Sequence, residues 1–138
     1  MSIQTGLCFS FKKELFEAIH NFPVDTFKAA LYTNAASIGP TSTVYTAIGE
    51  VPTGGGYTAG GLTLTGATVN LTNGTAFVDF DDAIWVSSNI TATGVMVYNA
   101  SKANRAVFTY NFGTVQSSSG NFNLKFPSNL YNTAIIRI

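Results

Sequence analysis

Short apolar stretches, separated by Gly, Asn, Ser and Thr, fill the second half of the chain. Apolar and polar positions there alternate with a period of two, which is the side-chain period of a β-strand. The dipeptide Asn73-Gly74 predicts a type I′ hairpin turn, because both central positions of that turn need positive φ. Strands are predicted over residues 26–33, 62–71 with a kink at Gly66, 76–80, 94–99, 106–112, 122–126 and 134–138. Closely spaced short strands of this kind predict an all-β fold, an antiparallel β-sandwich or jelly roll.

One short N-terminal amphipathic helix precedes the strands, over about residues 11–21. Ser10 is placed to cap its first turn, and Pro23 disfavours helix in the residue before it. His20 falls in the last turn and is expected to be a surface or capping residue. The apolar face at helical spacing consists of Phe11, Leu15, Phe16 and Ile19.

A Gly-rich segment, about residues 49–61, predicts a long loop, because glycine is costly inside regular elements. Two interpretations stay open: a flexible or tightly turning loop, and a loop that becomes ordered against a partner, with Tyr57 as an aromatic anchor. A phosphate cradle is disfavoured, since the pattern after the loop is that of a strand and no Lys occurs between Lys28 and Lys102. The expected interface residues are Gly54, Gly55, Gly56, Tyr57, Gly60 and Gly61, and the N-terminal helix is the alternative contact element.

Charged residues are scarce: seven acidic and seven basic side chains occur in 138 residues, with zero formal net charge. This balance argues against binding to nucleic acid, where cationic side chains neutralise phosphates. The length predicts a single domain over residues 1–138. Cys8 has no second cysteine to pair with and is expected to be a small buried hydrophobe. The sequence shows no secretory signal and no apolar run that would span a bilayer, so we expect no membrane partner and synthesis in the cytoplasm.

Candidate metal chemistry is confined to one acidic cluster, Asp79, Asp81 and Asp82. Carboxylates at positions i and i+2 share a strand face, so their oxygens offer a calcium site as the weaker alternative. The favoured interpretation is an Asx-type turn at the end of a strand. We expect no cofactor.

Trp85 is interpreted as an anchor at the edge of the core, with one alternative. Together with Tyr45, Tyr57 and Tyr98 it would offer a stacking face for sugar. Nucleophilic catalysis has little support, because no residue near His20 in sequence could orient it and no Gly-x-Ser-x-Gly motif occurs. A pair of catalytic carboxylates would form only if Glu50 met the Asp cluster by coincidence of folding. The chain is therefore not expected to be an enzyme.

Several long segments, in order along the chain, resemble small virion proteins of tailed bacteriophages, of the kind represented by the capsid cement proteins of podovirus heads. They are DTFKAALYT from Asp25 to Thr33, VYTAIGEVPTGGGYTAGGLTLTG from Val44 to Gly66, VDFDDAIW from Val78 to Trp85, and VYNASKANRAVFTYNFG from Val97 to Gly113.

The resemblance implies a jelly-roll-like, non-enzymatic cement or decoration subunit on the surface of the capsid shell. Such a subunit self-associates as a homodimer or homotrimer, binds between major capsid proteins and stabilises the phage head. It carries over no catalytic residues. The alternatives are a tail- or fibre-type domain that binds a glycan or receptor, and a protein of the head-to-tail junction.

Overall fold

The computed structural model describes residues 2–117, 119–126, 134 and 136–138. Within them, one short helix accompanies strands that pair in antiparallel fashion, and the predicted all-β, sandwich-like fold is confirmed. The elements are β1 (Gly6–Leu7), α1 (Phe9–Phe16), β2 (Phe27–Tyr32), β3 (Leu62–Thr63), β4 (Thr68–Thr72), β5 (Thr75–Asp79), β6 (Ala83–Ser88), β7 (Thr91–Asn99), β8 (Arg105–Ser117), β9 (Gly120–Leu124) and β10 (Ile136–Arg137).

These strands form a five-stranded sheet and two smaller ones. The orders are β1-β8-β7-β2-β3, β10-β5-β4 and β6-β9. In β2 and β7 almost every residue is buried or half-buried, as expected of strands with a neighbour on each side and protein on both faces. Apolar residues of all three sheets belong to one core cluster, which includes Leu31, Val97, Val78 and Trp85.

The Asn73-Gly74 hairpin lies where the sequence predicts it. Both residues have positive φ, 51° and 75°, and Thr72 pairs with Thr75 across the turn. Gly66, with φ of 68°, marks the predicted kink and separates β3 in the large sheet from β4 in the three-stranded sheet. The positive φ of Gly66 favours glycine, and an added Cβ would also displace the Asp81 carboxyl group, which lies 2.3 Å from its position.

The helix is shorter than predicted and begins earlier, over Phe9–Phe16 instead of about 11–21. Cys8 is its N-cap residue, so Ser10 lies inside the first turn and does not cap it. The helix ends in a Schellman motif, with Ala18 at φ of 57° and the Ile19 N–H bonded to the Glu14 carbonyl. The sequence pattern did not predict this helix end, because glycine is the usual residue at the left-handed position that Ala18 holds here. A helix able to span a bilayer does not occur in the described part of the chain.

The C-terminal strand is confirmed in part. β10 covers Ile136–Arg137, and Ile138 exchanges two backbone hydrogen bonds with Ala76 of β5. Residue 135 of the predicted strand lies outside the described residues. Ile136 is buried, and this strand therefore contributes to the core as well as to the sheet.

Candidate interaction surface

The Gly-rich segment is a loop, as predicted, but it is held at several points. Gly54 and Tyr57 exchange two backbone hydrogen bonds, of 2.9 and 3.0 Å, that close a tight turn. The Gly55 carbonyl accepts the Asn89 N–H at 2.6 Å, which ties the turn to the connection between β6 and β7. Of the two interpretations that the sequence left open, this conformation agrees with the tightly turning loop.

Three of the glycines are needed because the loop backbone lies against other backbone. An added Cβ would be 2.6 Å from the Asn89 carbonyl oxygen at Gly55, 2.9 Å from the Ser88 Cα at Gly56, and 2.0 Å from the Ala29 carbonyl oxygen at Gly61. All three also have positive φ. Gly54, Gly55 and Gly56 are exposed, whereas Gly60 and Gly61 are half-buried. Of the predicted interface glycines, the first three therefore face solvent.

Tyr57 is not exposed, contrary to the expectation of an aromatic anchor. Its exposed fraction is 1%, and its ring belongs to the core. The hydroxyl accepts the Leu31 N–H at 2.9 Å and donates to Glu50 Oε2 at 2.5 Å. Tyr57 therefore holds the loop on the large sheet from inside and is not available to a partner.

Glu50 is the centre of this cluster, and its carboxylate accepts hydrogen bonds from tyrosines and from the loop backbone. In addition to the Tyr57 bond, Glu50 Oε1 accepts a hydrogen bond from the Tyr45 hydroxyl at 2.5 Å, and Oε2 accepts one from the Gly60 N–H at 2.7 Å. The Tyr98 hydroxyl donates to the Gly60 carbonyl, and its ring lies 4.8 Å from that of Tyr45. The carboxylate thus satisfies donors of the loop, a structural role that the sequence did not reveal.

Burial and this carboxylate raise the pKa of the surrounding tyrosines. The pKa of Tyr98 is raised to about 12, first by burial and then by the charge of Glu50. Burial likewise raises the pKa of Tyr57 and Tyr45 above the ordinary range, and each hydrogen bond donated to Glu50 adds to the shift. These hydroxyls stay protonated at neutral pH and act as donors.

The three aspartates do not converge on a metal site. Asp81 accepts the Thr65 hydroxyl at 3.3 Å, and Asp82 accepts the Phe126 N–H at 2.9 Å. Burial raises the pKa of Asp79, and Asp82 and Asp81 add to the shift. In the described residues no group of three or more His, Cys, Asp and Glu side chains is placed to hold a metal ion. The calcium alternative is thus not supported, and Asp82 bonds across the fold instead of in a local Asx turn.

Trp85 is buried in the core, as the favoured interpretation predicted. Its exposed fraction is 4%, and its ring lies 6.2 Å from that of Tyr57 and 5.9 Å from that of Phe122. Tyr98 is also buried, and Tyr45 is half-buried. The proposed sugar-stacking face made of these residues is therefore wrong, because a sugar could not reach the rings.

His20 is buried, which contradicts the expected surface or capping position. Its Nε2 lies 2.8 Å from Glu14 Oε1, and its Nδ1 lies 3.0 Å from the Asn99 amide nitrogen. Asn99 also donates to Asp25 Oδ2 at 2.9 Å, and Glu14 Oε2 accepts from Arg105 at 2.9 Å. Because the amide donates to Nδ1, the ring hydrogen resides on Nε2 and is donated to Glu14. This network joins α1 to β7 and β8, and no local sequence signal predicted it.

The solvent-facing sheet surfaces carry large apolar side chains whose exposure the sequence pattern did not predict. On β4, Val69 and Leu71 are 52% and 73% exposed, and on β6 Val86 is 65% exposed. Ile138, beside the hairpin, is 69% exposed. No charged residue occurs from Ala67 to Val78. Exposed apolar side chains with uncharged surroundings are typical of surfaces that contact other protein.

An open groove lies between β8 and β9, with a volume of about 450 Å³. Tyr110, Phe112 and Phe126 give it an aromatic lining, and Gln116 and Asn121 supply amide groups. The described lining contains no carboxylate and no histidine. The lining also includes Lys125, and its aromatic rings and amide groups suit a polar ligand.

Comparison with known proteins found no match for this chain among protein-family models, curated proteins or solved structures.

Proposed function

We propose that this chain is a non-enzymatic virion structural protein, a cement or decoration subunit that binds between major capsid proteins and stabilises a phage head. Its partners are the major capsid protein and other copies of the chain. The ordered segments that resemble cement proteins of phage heads motivate this proposal. The place of action is the surface of the capsid shell.

The observation that carries the proposal is the uncharged, partly apolar surface of the strands. Leu71, Val69 and Val86 are exposed on sheet faces where charged side chains are scarce. At an interface, contacts of this kind avoid the cost of removing charges from water. A subunit repeated over a shell needs only modest affinity at each contact, since many contacts act together.

The buried polar clusters support a structural role as well. The Glu50 carboxylate accepts hydrogen bonds from the Tyr45 hydroxyl and the Gly60 N–H. The two ring nitrogens of His20 are hydrogen-bonded to Glu14 and Asn99. Neither cluster leaves a nucleophile beside a free base, which acyl transfer requires.

The decisive experiment measures how many copies a purified particle contains. Gel densitometry or quantitative mass spectrometry compares this protein with the major capsid protein in intact particles. A shell protein is expected at hundreds of copies, and a head-to-tail junction protein at about a dozen. Absence from the head fraction would contradict the proposal. Particles stripped of the protein are expected to lose heat resistance and to regain it when purified protein is added back.

The loop is tested separately, because Tyr57 is buried and its replacement would disturb folding. Thr58 lies next to Tyr57 and is exposed, so Thr58→Lys introduces a charge without removing a core residue. If the loop contacts the capsid, Thr58→Lys weakens particle binding while an exposed control outside the loop, Thr41→Lys, does not. Equal binding by both variants would remove the loop from the interface.

A tail- or fibre-type glycan-binding domain is the second candidate, and the groove between β8 and β9 is the observation that favours it. Tyr110 is 42% exposed there, in contrast to the buried Trp85. Retention on a glycan array that Tyr110→Ala abolishes, together with absence from the capsid shell, would favour this candidate over the cement role.

A further inference from the structure

β4 is the last strand of the β10-β5-β4 sheet, and its outer edge is open in the described part of the chain. The two hydrogen bonds between Ala76 and Ile138 show that the Ala76 backbone faces β10. Since backbone groups alternate along a strand, the neighbouring Phe77 faces β4 and bonds to Asn70, its register partner. The same alternation directs the N–H and C=O groups of Val69 and Leu71 outward, away from β5.

The outer edge of β4 lacks the sequence features that ordinarily protect an edge strand. Protein edge strands are kept from pairing by charged side chains, proline or bulges. From Ala67 to Val78 there is no charged residue and no proline, and the β4–β5 register runs without a shift from Thr68 to Thr72. Val69 and Leu71 are also exposed. Within the described residues, the outward backbone groups of Val69 and Leu71 are therefore available to another strand.

The sequence of β4 is nearly symmetric about its centre. Thr-Val-Asn-Leu-Thr has Asn70 in the middle, one aliphatic residue on each side and Thr at both ends. A two-fold interface brings the same surface of both subunits together, so it requires such self-complementarity. We propose that β4 pairs antiparallel with β4 of a second copy, around a two-fold axis at Asn70.

The register of this pair follows from the backbone directions. With the axis at Asn70, Val69 of one copy faces Leu71 of the other, and both have outward N–H and C=O groups. Each of the two Val69–Leu71 pairs exchanges two hydrogen bonds, and the two Asn70 residues form the non-hydrogen-bonded pair between them. The two aliphatic pairs lie on one face, as cross-strand pairs that stabilise a sheet do.

The pairing joins two three-stranded sheets into one sheet of six. Ala76 and Ile138 lie on the same face as Leu71 and are exposed in the single chain, so this face stays apolar across the junction. A contact of one five-residue strand is smaller than the roughly 1,600 Å² of a standard stable interface. The dimer is therefore expected to depend on protein concentration.

This inference deepens the self-association included in the proposed function and does not depend on binding to a capsid. Its tests use the isolated protein. A chain that dimerises through β4 but is absent from phage heads would contradict the cement role alone, and a monomeric chain found on heads would contradict the dimer alone.

The first test is disulfide cross-linking through Asn70→Cys. In a non-hydrogen-bonded antiparallel pair the Cα atoms are about 4.5 Å apart, within the range of a disulfide. Cys8 is buried and does not compete. The control is Ala76→Cys, exposed on the same hairpin but separated from its counterpart by about three strand spacings, or roughly 14 Å. Covalent dimer from Asn70→Cys and none from Ala76→Cys is expected. Equal cross-linking, or none from either, overturns the proposed pairing.

The second test exchanges the two aliphatic pairs for charges. Val69→Lys with Leu71→Lys places like charges opposite each other twice, whereas Val69→Glu with Leu71→Lys places opposite charges there. Sedimentation equilibrium is expected to show a dimer for the parent and the Glu/Lys variant, and at least about tenfold weaker association for the Lys/Lys variant. Circular dichroism checks that both remain folded. A parent chain that is monomeric up to about 1 mM, or equal association of the two variants, contradicts the register.

Discussion

The hydroxyl of Tyr57 donates to Glu50 Oε2 at a distance of 2.5 Å, and the oxygen of this hydroxyl accepts the Leu31 N–H at 2.9 Å. This relationship fixes the Gly-rich loop to strand β2 of the five-stranded sheet. The sequence suggested Tyr57 as an exposed anchor, but its ring is buried. The stability of the loop therefore depends on the Tyr57 hydroxyl group.

Replacement of Tyr57 by Phe should destabilise the fold by about 1–3 kcal/mol, because a buried N–H and a carboxylate oxygen each lose a partner. Tyr45→Phe is the matched control, since Tyr45 also donates to Glu50 but does not bind the Leu31 N–H. Urea denaturation is expected to show the larger loss for Tyr57→Phe. Equal losses would mean that the Leu31 bond contributes little.

Alkaline pH should unfold the protein as the buried tyrosines ionise. The pKa of Tyr98 is raised to about 12 in the folded chain, while an unfolded tyrosine has a pKa near 10. The stabilisation from this group is complete below about pH 10 and is lost as the pH rises towards 12. Denaturation midpoints measured from pH 8 to 12 should fall across this window. Constant midpoints, with early tyrosinate absorbance, would contradict burial of the hydroxyl.

Gly61→Ala should destabilise more than Gly74→Ala. The two glycines have similar φ, 87° and 75°, so an added Cβ costs both about 1–2 kcal/mol of backbone strain. At Gly61 the Cβ would also lie 2.0 Å from the Ala29 carbonyl oxygen, whereas at Gly74 nothing lies within 4 Å. Thermal melting should show an additional loss of about 2 kcal/mol or more for Gly61→Ala. Similar melting temperatures would show that the loop backbone can move away.

Glu14 of α1 and Glu17 at the C-cap of this helix should differ in importance. Glu14 is buried and bonds to His20 and Arg105, so Glu14→Ala is expected to cost about 1–3 kcal/mol. Glu17 pairs with Lys13 at the surface, and Glu17→Ala should change the stability by less than about 1 kcal/mol. Chemical denaturation at neutral pH measures both. A similar small effect for both variants would mean that the network adds little to stability.

Asp79→Asn is expected to stabilise the protein at neutral pH. Burial, with Asp82 and Asp81 nearby, raises the pKa of Asp79, and its Oδ1 finds no hydrogen-bond partner in the described residues. A raised pKa means that ionisation above about pH 4 weakens the fold, so a neutral amide removes this loss. The gain should shrink towards pH 3. A variant less stable than the parent at pH 7 would contradict this account.

The strand pattern, the Asn73-Gly74 turn and the kink at Gly66 could be predicted from the sequence, because each depends on local rules. Side-chain alternation determines which residues point to the same face, and positive φ limits the residues allowed in a tight turn. The burial of Trp85 and Cys8 followed from their apolar character and was predicted as well.

Contacts between distant segments could not be predicted in this way. His20 meets Asn99 across a separation of 79 residues, and the Tyr98 hydroxyl meets the Gly60 carbonyl across 38 residues. The same is true of the early end of α1, where tertiary contacts bury Glu14 and Ala18 takes a conformation usual for glycine.

The sequence by itself determined an all-β chain with a glycine-rich loop and few charges, since these follow from composition and from periods of two residues. The tertiary structure decided that Tyr57 and His20 are buried and that Val69 and Leu71 of β4 face solvent at an open edge. Exposure depends on which strands become neighbours, and the pairing of distant strands is a property of the whole fold that no local pattern specifies.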